Sequence, residues 1–156
     1  MKAKQRKQDR RALRTFIIDS GATSHYVRTS DKLPHVGPSN KLIQLPNGQI
    51  VQSAAQVKIP FAIKEQARIA ELVPAINQNS LISVGKLADA GYTTVFLPGQ
   101  QGVRVLEGND TTGSEGMTVI QGWREDGGSR LWRIEHGEDN EVRDGIGQHK
   151  YMNAAA

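Results

Sequence analysis

The stretch Phe16-Ile17-Ile18-Asp19-Ser20-Gly21-Ala22-Thr23-Ser24 decides how this chain is interpreted. Three consecutive apolar residues are typical of a short buried strand, and Asp-Ser-Gly ends such a strand in a turn. Ser20 can donate a hydrogen bond, Gly21 allows another backbone to approach closely, and Ala22 is small enough for tight packing. The pattern therefore predicts a rigid loop that holds the Asp19 carboxylate in a fixed place.

One carboxylate held in this way is half of the catalytic pair of an aspartic protease. Such an enzyme needs two carboxylates that share one proton, so that the ionised one activates a water molecule and the protonated one polarises the scissile carbonyl. No other Asp of the chain is followed by Ser-Gly or Thr-Gly. A protease would therefore take its second carboxylate from a second copy of the chain, across the axis of a homodimer. The alternative is an ordinary structural turn, in which Asp is common.

Composition limits the other kinds of chemistry. The 156 residues suit one compact core, and the absence of cysteine excludes disulfides, thiolate catalysis and cysteine-based zinc sites. His25 and His35 lack metal-ligand spacing and are interpreted as structural, so we expect no metal and no cofactor. No apolar run approaches 18 residues, which predicts a soluble, intracellular protein without a membrane partner.

Charge is distributed unevenly along the chain. Residues 1–14 carry seven bases and one acid, whereas the rest of the chain is slightly acidic. We expect a basic, disordered arm over 1–14. A nucleic-acid partner that binds through this arm is a minor alternative, because no aromatic residue alternates with the bases and no recognition motif is present.

The segment Pro46-Asn47-Gly48 predicts a projecting β-hairpin. It lies between the apolar runs Leu42–Leu45 and Gln49–Val51, and Asn-Gly in such a position is a strong hairpin signal because both residues tolerate positive φ. Its place after the carboxylate loop suggests a flap, with Asn47 and Gly48 at the tip, that could fold over a bound peptide and exclude water. The alternative is a surface hairpin without function.

Most of the remaining pattern is typical of strands. Residues 57–63 alternate apolar and other side chains, which predicts a half-buried strand with Pro60 at an edge. One short helix is expected over 84–90, with Ser83 as its N-cap and Gly91 at its C-terminal end.

These signals divide the chain into five parts. After the arm, a β domain spans residues 15–106, and a linker rich in small polar residues spans 107–116. An appended hairpin is expected over 117–135, with Trp123 and Trp132 packed across its strands. The polar, acidic residues 136–156 are expected to be a disordered tail.

Three ordered blocks resemble one protein family. The segment Ile17-Ile18-Asp19-Ser20-Gly21-Ala22-Thr23-Ser24-His25 is similar to the protease signature of copia-type retrotransposon Pol polyproteins, a branch of the retropepsin-like aspartic proteases. Leu45-Pro46-Asn47-Gly48-Gln49 resembles the flap region of that family. Leu72-Val73-Pro74, followed by Asn79–Leu87 and Gly91-Tyr92, resembles its downstream block. The order and spacing agree over residues 16–106.

The resemblance implies an all-β fold, a small closed retropepsin-like β-barrel with one short helix and an appended C-terminal hairpin. It implies a homodimeric aspartic endopeptidase that cleaves the Gag-Pol polyprotein of the element, in the cytoplasm or in its virus-like particle. Asp19 would be the catalytic residue, with Ser20, Gly21 and Ala22 supporting the loop. The partners would be a second copy of the chain and polyprotein substrate peptides. The competing interpretation is a catalytically inactive barrel of a Pol fragment, or a domesticated binding module.

Overall fold

A computed structural model describes residues 14–108 and 118–136. Within these ranges the chain is mostly β, as expected. The strands are β1 (Arg14–Asp19), β2 (His25–Val27), β3 (His35–Pro38), β4 (Leu42–Gln44), β5 (Ile50–Gln52), β6 (Ala55–Lys58), β7 (Ile69–Leu72), β8 (Ser80–Ser83), β9 (Tyr92–Phe96), β10 (Val103–Glu107), β11 (Thr118–Arg124) and β12 (Trp132–His136). The α-helices are α1 (Glu65–Arg68) and α2 (Val84–Asp89), and single 3₁₀ turns cover Thr29–Asp31 and Gly99–Gln101.

Ten of these strands form one sheet in the order β3-β6-β7-β2-β8-β1-β12-β11-β10-β9. Strand β1 lies inside this sheet, parallel to β8 and antiparallel to β12. Its last residue, Asp19, is the register partner of Ser83, the last residue of β8. The sheet therefore holds the start of the predicted carboxylate loop between two neighbouring strands. Strands β4 and β5 pair only with each other, as a separate hairpin.

Alternate side chains of β1 face the hydrophobic core and the candidate site. Phe16 and Ile18 lie in the main hydrophobic cluster, together with Ile82 of β8 and Ile134 of β12. Because side chains alternate along a strand, Ile17 shares the opposite face with Asp19. Burial of Phe16 and Ile18 stabilises the strand by about 2 kcal/mol per large side chain. Because the strand is held in this way, the positions of Ile17 and Asp19 are fixed as well.

The strand pairing confirms a β fold but does not show a closed barrel. Among the described residues, strand pairing runs from β3 at one edge to β9 at the other, and no pairing joins these two edges. The coarser expectation, an all-β fold, is confirmed, while the closed retropepsin-like barrel stays a prediction.

The C-terminal hairpin is part of the sheet and is not an appendage. Strand β11 pairs with β10, and β12 pairs with β1. Ile120 and Ile134 lie in the main core. The polar linker before the hairpin suggested separation, but the alternating apolar residues of the hairpin have a face to bury, and β1 provides an unpaired edge for it.

Two further expectations about secondary structure were wrong. The structure has a second short helix, α1, so the expectation of one helix fails. The strand predicted over 57–63 ends at Lys58. Ile59, Phe61 and Ile63 are nevertheless buried. Pro60 has no N–H to continue a ladder, so the strand ends before it, and Pro60 is itself buried, which interrupts the predicted alternation.

The helix predicted over 84–90 is confirmed as α2. Ser83 caps it by accepting a hydrogen bond from the Lys86 N–H, and Gly91 follows with a φ of 94°. Parts of the other predicted segments, residues 1–13, 109–117 and 137–156, lie outside the described residues, so the predicted arm, linker and tail stay predictions.

Candidate active site

The carboxylate loop begins where β1 ends. Asp19 is half-buried, and its Oδ1 accepts a hydrogen bond of 2.8 Å from the Gly21 N–H. This is a local turn in which an Asp side chain binds the backbone two residues on. A Cβ at Gly21 would lie 3.3 Å from the same oxygen, so glycine leaves room for this contact. No described residue donates a hydrogen bond to Oδ2, which leaves that oxygen for chemistry outside the loop.

Ser83 ties the far end of the loop to the sheet. Its hydroxyl donates a hydrogen bond of 2.6 Å to the Ala22 carbonyl and accepts one of 3.1 Å from the Lys86 N–H. Since Ser83 also pairs with Asp19 in the β1–β8 ladder, one buried residue contacts both ends of the loop.

His25 forms a hydrogen bond with the backbone of Ser83. The Ser83 N–H donates to His25 Nδ1 at 2.9 Å, and Nε2 lies 2.6 Å from the Ala67 carbonyl. Because Nδ1 accepts, Nε2 carries the proton and donates. His25 is completely buried, which fits its interpretation as structural. Burial lowers the pKa of His25 to about 4, the hydrogen bond to Ala67 opposes this shift, and the charge of Lys86 adds to it.

A groove of about 400 Å³ opens beside Asp19. Asp19 is the only acidic residue among those that line it. The apolar part of its wall and its amide-bearing rim come from three separate segments of the chain. The lining residues are Ile17, Ile18, Asp19, Ile76, Asn77, Gln78, Asn79, Leu81 and Leu131. Such a mixture of apolar wall and polar rim suits an extended peptide better than a small charged ligand.

The rim of the groove is braced by the C-terminal hairpin. Arg133 Nη1 of β12 donates to the Asn79 side-chain oxygen at 3.1 Å, and Arg133 Nε donates to Glu125 at 3.0 Å. The C-terminal hairpin, which the sequence predicted to be an appendage, therefore forms part of the candidate site.

The predicted hairpin is present as β4–β5, and its role as a flap stays a prediction. The Gly48 N–H donates to the Leu45 carbonyl at 2.9 Å, and the Leu45 N–H donates to the Gln49 carbonyl at 2.8 Å. Gly48 has a φ of 85°, whereas Asn47 is not among the residues with positive φ. Asn47 instead accepts a hydrogen bond from the Gln49 N–H through its side chain. The tip is thus a type I turn followed by a left-handed glycine.

The two faces of this hairpin have different surroundings. Ile43 and Val51 are buried in a second small cluster with Tyr26 and Val73, and Ala22 of the carboxylate loop packs against this cluster. On the other face, Leu42 and Ile50 are 68% and 65% exposed. The base of the hairpin is therefore anchored next to the carboxylate loop, with an apolar outer face that the other described residues do not cover.

The described residues form neither a metal site nor a membrane-spanning helix. Within 14–108 and 118–136, no group of three or more His, Asp or Glu side chains could hold a metal ion. No helix in these ranges is long and apolar enough to cross a membrane.

Sequence reasoning found the carboxylate loop and the hairpin but missed part of the site. Ser83 was identified only as a helix cap, and Leu131 was placed in an appendage. The Asn77–Asn79 rim was not assigned to the site. The proximity of these residues depends on which strands pair across the sheet, and no local pattern carries that information.

Comparisons with known proteins give no match to any family model, curated protein or solved structure. The function is therefore argued from the residues of this chain.

Proposed function

We propose that this chain is a retropepsin-like aspartic endopeptidase that acts as a homodimer, of the kind that processes the polyprotein of a copia-type retrotransposon. The observation that carries the proposal is the Asp19 carboxylate at a groove. One of its oxygens is fixed by the Gly21 N–H, and the residues that line the groove include no second acid. The copia-type resemblance of the surrounding residues supports the choice of family.

The proposed chemistry uses one Asp19 from each protomer. Two carboxylates this close share a proton, because both cannot be ionised side by side. The ionised carboxylate takes a proton from a water molecule, and the water oxygen attacks the scissile carbonyl carbon. The protonated carboxylate donates a hydrogen bond to the carbonyl oxygen. Collapse of the tetrahedral intermediate breaks the C–N bond, and the amine leaves with a proton from the pair.

The neighbouring elements suit a peptide substrate. The apolar wall of the groove, with Ile76, Leu81 and Leu131, would bury apolar substrate side chains on either side of the cleaved bond. The Asn77–Asn79 rim offers amide groups to the substrate backbone. The β4–β5 hairpin, anchored beside Ala22, is in a position to cover the bound peptide.

Dimerisation is required by the chemistry. The loop residues Ser20 and Gly21 are exposed, so a second copy can approach them. A two-fold axis beside the loop would bring Asp19 next to its own copy, which is the isologous contact of a symmetric dimer.

The test compares two single substitutions in the full chain. Asp19→Asn removes the charge and keeps the size, and Asp89→Asn changes an exposed aspartate at the end of α2. With a mixture of peptides at mildly acidic pH, we expect Asp19→Asn to lower the cleavage rate by at least about a thousandfold. Asp89→Asn should cleave like the unchanged chain, and a statine-type inhibitor should block both active proteins.

The second part of the test measures how the cleavage rate depends on protein concentration. The rate per chain should rise with protein concentration, in step with the dimer fraction measured by analytical ultracentrifugation. Equal cleavage by Asp19→Asn, or cleavage by a strict monomer, would overturn the mechanism. A chain that remains monomeric and neither cleaves peptides nor binds the inhibitor would favour the competing interpretation, a non-catalytic binding module.

A further inference from the structure

The carboxylate loop is connected to a buried histidine through one serine. From the loop inward, the Ala22 carbonyl accepts from the Ser83 hydroxyl at 2.6 Å, and the Ser83 N–H donates to His25 Nδ1 at 2.9 Å. His25 Nε2 then reaches the Ala67 carbonyl at 2.6 Å. Both His25 and Ser83 are fully buried, so water does not compete for these hydrogen bonds.

This connection works in only one protonation state of the imidazole. Neutral His25 offers a lone pair at Nδ1 to the Ser83 N–H and a proton at Nε2 to Ala67. A second proton at Nδ1 would place two donors against each other, and a buried donor without an acceptor is costly.

We propose that His25 and Ser83 are positioning residues that hold the Asp19–Ala22 loop in its catalytic geometry, and that charging the His25 imidazole releases this loop. The catalytic meaning of the inference rests on the proposed function, whereas the coupling between histidine and loop is a property of the fold. His25 is not among the residues that line the groove, and its side-chain hydrogen bonds go to Ser83 and Ala67, so it acts through Ser83.

The surroundings of His25 favour the neutral form. Lys86 of α2 is the charged group that acts on the imidazole, and its positive charge opposes a second one nearby. From α1, the neutral Ala67 carbonyl faces Nε2, and from β8 the Ser83 N–H faces Nδ1. Glu71 of β7 is engaged by Ser53 and Gln56.

The experiment follows the loop by NMR in the Asp19→Asn chain between pH 3 and 7. This substitution removes the titration of Asp19, which would otherwise shift the Gly21 amide directly, and its side-chain oxygen can still accept from the Gly21 N–H. We expect the Ser83, Ala22 and Gly21 amide signals to shift with the same midpoint as the His25 ring signals. The protection factor of the Ser83 amide against hydrogen exchange should also fall at least about tenfold, which corresponds to the loss of one hydrogen bond.

Two further substitutions in the same background serve as the comparison. His25→Gln cannot titrate, so the three amide signals should lose their shared transition. His35→Gln changes an exposed histidine of β3 and should leave that transition intact. If His25→Gln does not fold, the Asp19→Asn chain alone tests the inference. In that chain the pH midpoints of the His25 ring signals and of the loop amide signals can be compared directly.

The inference fails if the His25 ring titrates while the loop amides stay unchanged, or if the transition survives in His25→Gln. These outcomes do not depend on proteolysis. Failure of the proposed function would instead appear as absence of cleavage by the unchanged chain, with the amide coupling intact.

Discussion

Ser80 and Asp31 lie 49 residues apart in the sequence, and the Ser80 hydroxyl donates a hydrogen bond to the buried Asp31 carboxylate. The same carboxylate accepts from Arg28 Nε at 3.1 Å, and the Arg28 backbone N–H donates to the Ser80 hydroxyl at 3.0 Å. These contacts fasten the first residue of β8, the strand whose last residue is Ser83. The position of the carboxylate loop thus depends on a buried ion pair at the opposite end of β8.

The first prediction concerns this ion pair. Asp31→Ala should lower the free energy of unfolding by about 3 kcal/mol, because it leaves the Ser80 hydroxyl and the partly buried Arg28 without their acceptor. Urea denaturation measures the change. Asp89→Ala, at an exposed position, should stay within about 0.5 kcal/mol of the unchanged chain. Equal effects of the two substitutions would contradict this account.

The second prediction concerns stability against pH. The pKa of His25 is about 4 in the folded chain and near 6.5 when exposed, so between these values the unfolded chain binds more protons. The free energy of unfolding should therefore fall by about 3 kcal/mol as the pH decreases from 6.5 to 4.

Substitution of His25 separates this effect from that of the acids. Burial raises the pKa of Glu71, but hydrogen bonds from Ser53, Ser39 and Gln56 outweigh it and leave this pKa below its usual value. The contribution of Glu71 to the free energy of unfolding therefore also decreases as the pH falls. His25→Gln should flatten the curve between pH 4 and 6.5 and retain the Glu71 part. An unchanged slope would show that His25 is not the cause.

The third prediction concerns a close approach of strands in the C-terminal hairpin. A Cβ at Gly122 would lie 2.2 Å from the Arg133 carbonyl oxygen and 2.5 Å from Ile134 Cγ2. Gly122→Ala should therefore cost roughly 2 to 3 kcal/mol of stability through overpacking. Gly37→Ala is the matched control, because no atom lies within 4 Å of the added carbon. Thermal unfolding of both variants measures the difference, and equal melting temperatures would contradict the packing described for β11 and β12.

The fourth prediction concerns the proposed catalysis. Ser83→Ala removes the hydrogen bond to the Ala22 carbonyl, so kcat should fall about tenfold or more while KM changes little, because the groove lining is untouched. Ser83→Thr keeps a hydroxyl and should recover part of the rate. If Thr and Ala lower kcat equally while both variants stay folded, the hydroxyl is not what positions the loop.

Local chemistry made some features predictable from the sequence. The Asp19 loop, the Pro46–Gly48 hairpin and the Ser83 cap are each encoded within a few residues, by turn formers and by side chains that bind a neighbouring N–H. The structure contains all three. Even here, the sequence did not reveal that Asn47 binds Gln49 and leaves positive φ to Gly48 alone.

Features that depend on distant residues were not predictable in this way. Strand β1 pairs with β8 and with β12, whose residues lie far along the chain. A period-two pattern predicts that a strand has a buried face, but it does not identify the neighbour. The assignment of residues 117–135 to an appendage failed for this reason. The apolar residues of 57–63 are buried as predicted, but the strand ends at Lys58, because Pro60 has no N–H to continue the ladder.

The position of β12 beside β1 has a practical consequence for anyone who shortens this protein. A chain cut after Leu106 would keep every residue of the copia-like signature, yet the strand that leads to Asp19 would become an outer edge, open to pairing with other molecules. Such a fragment should aggregate or lose its shape. The smallest unit worth purifying therefore extends through His136.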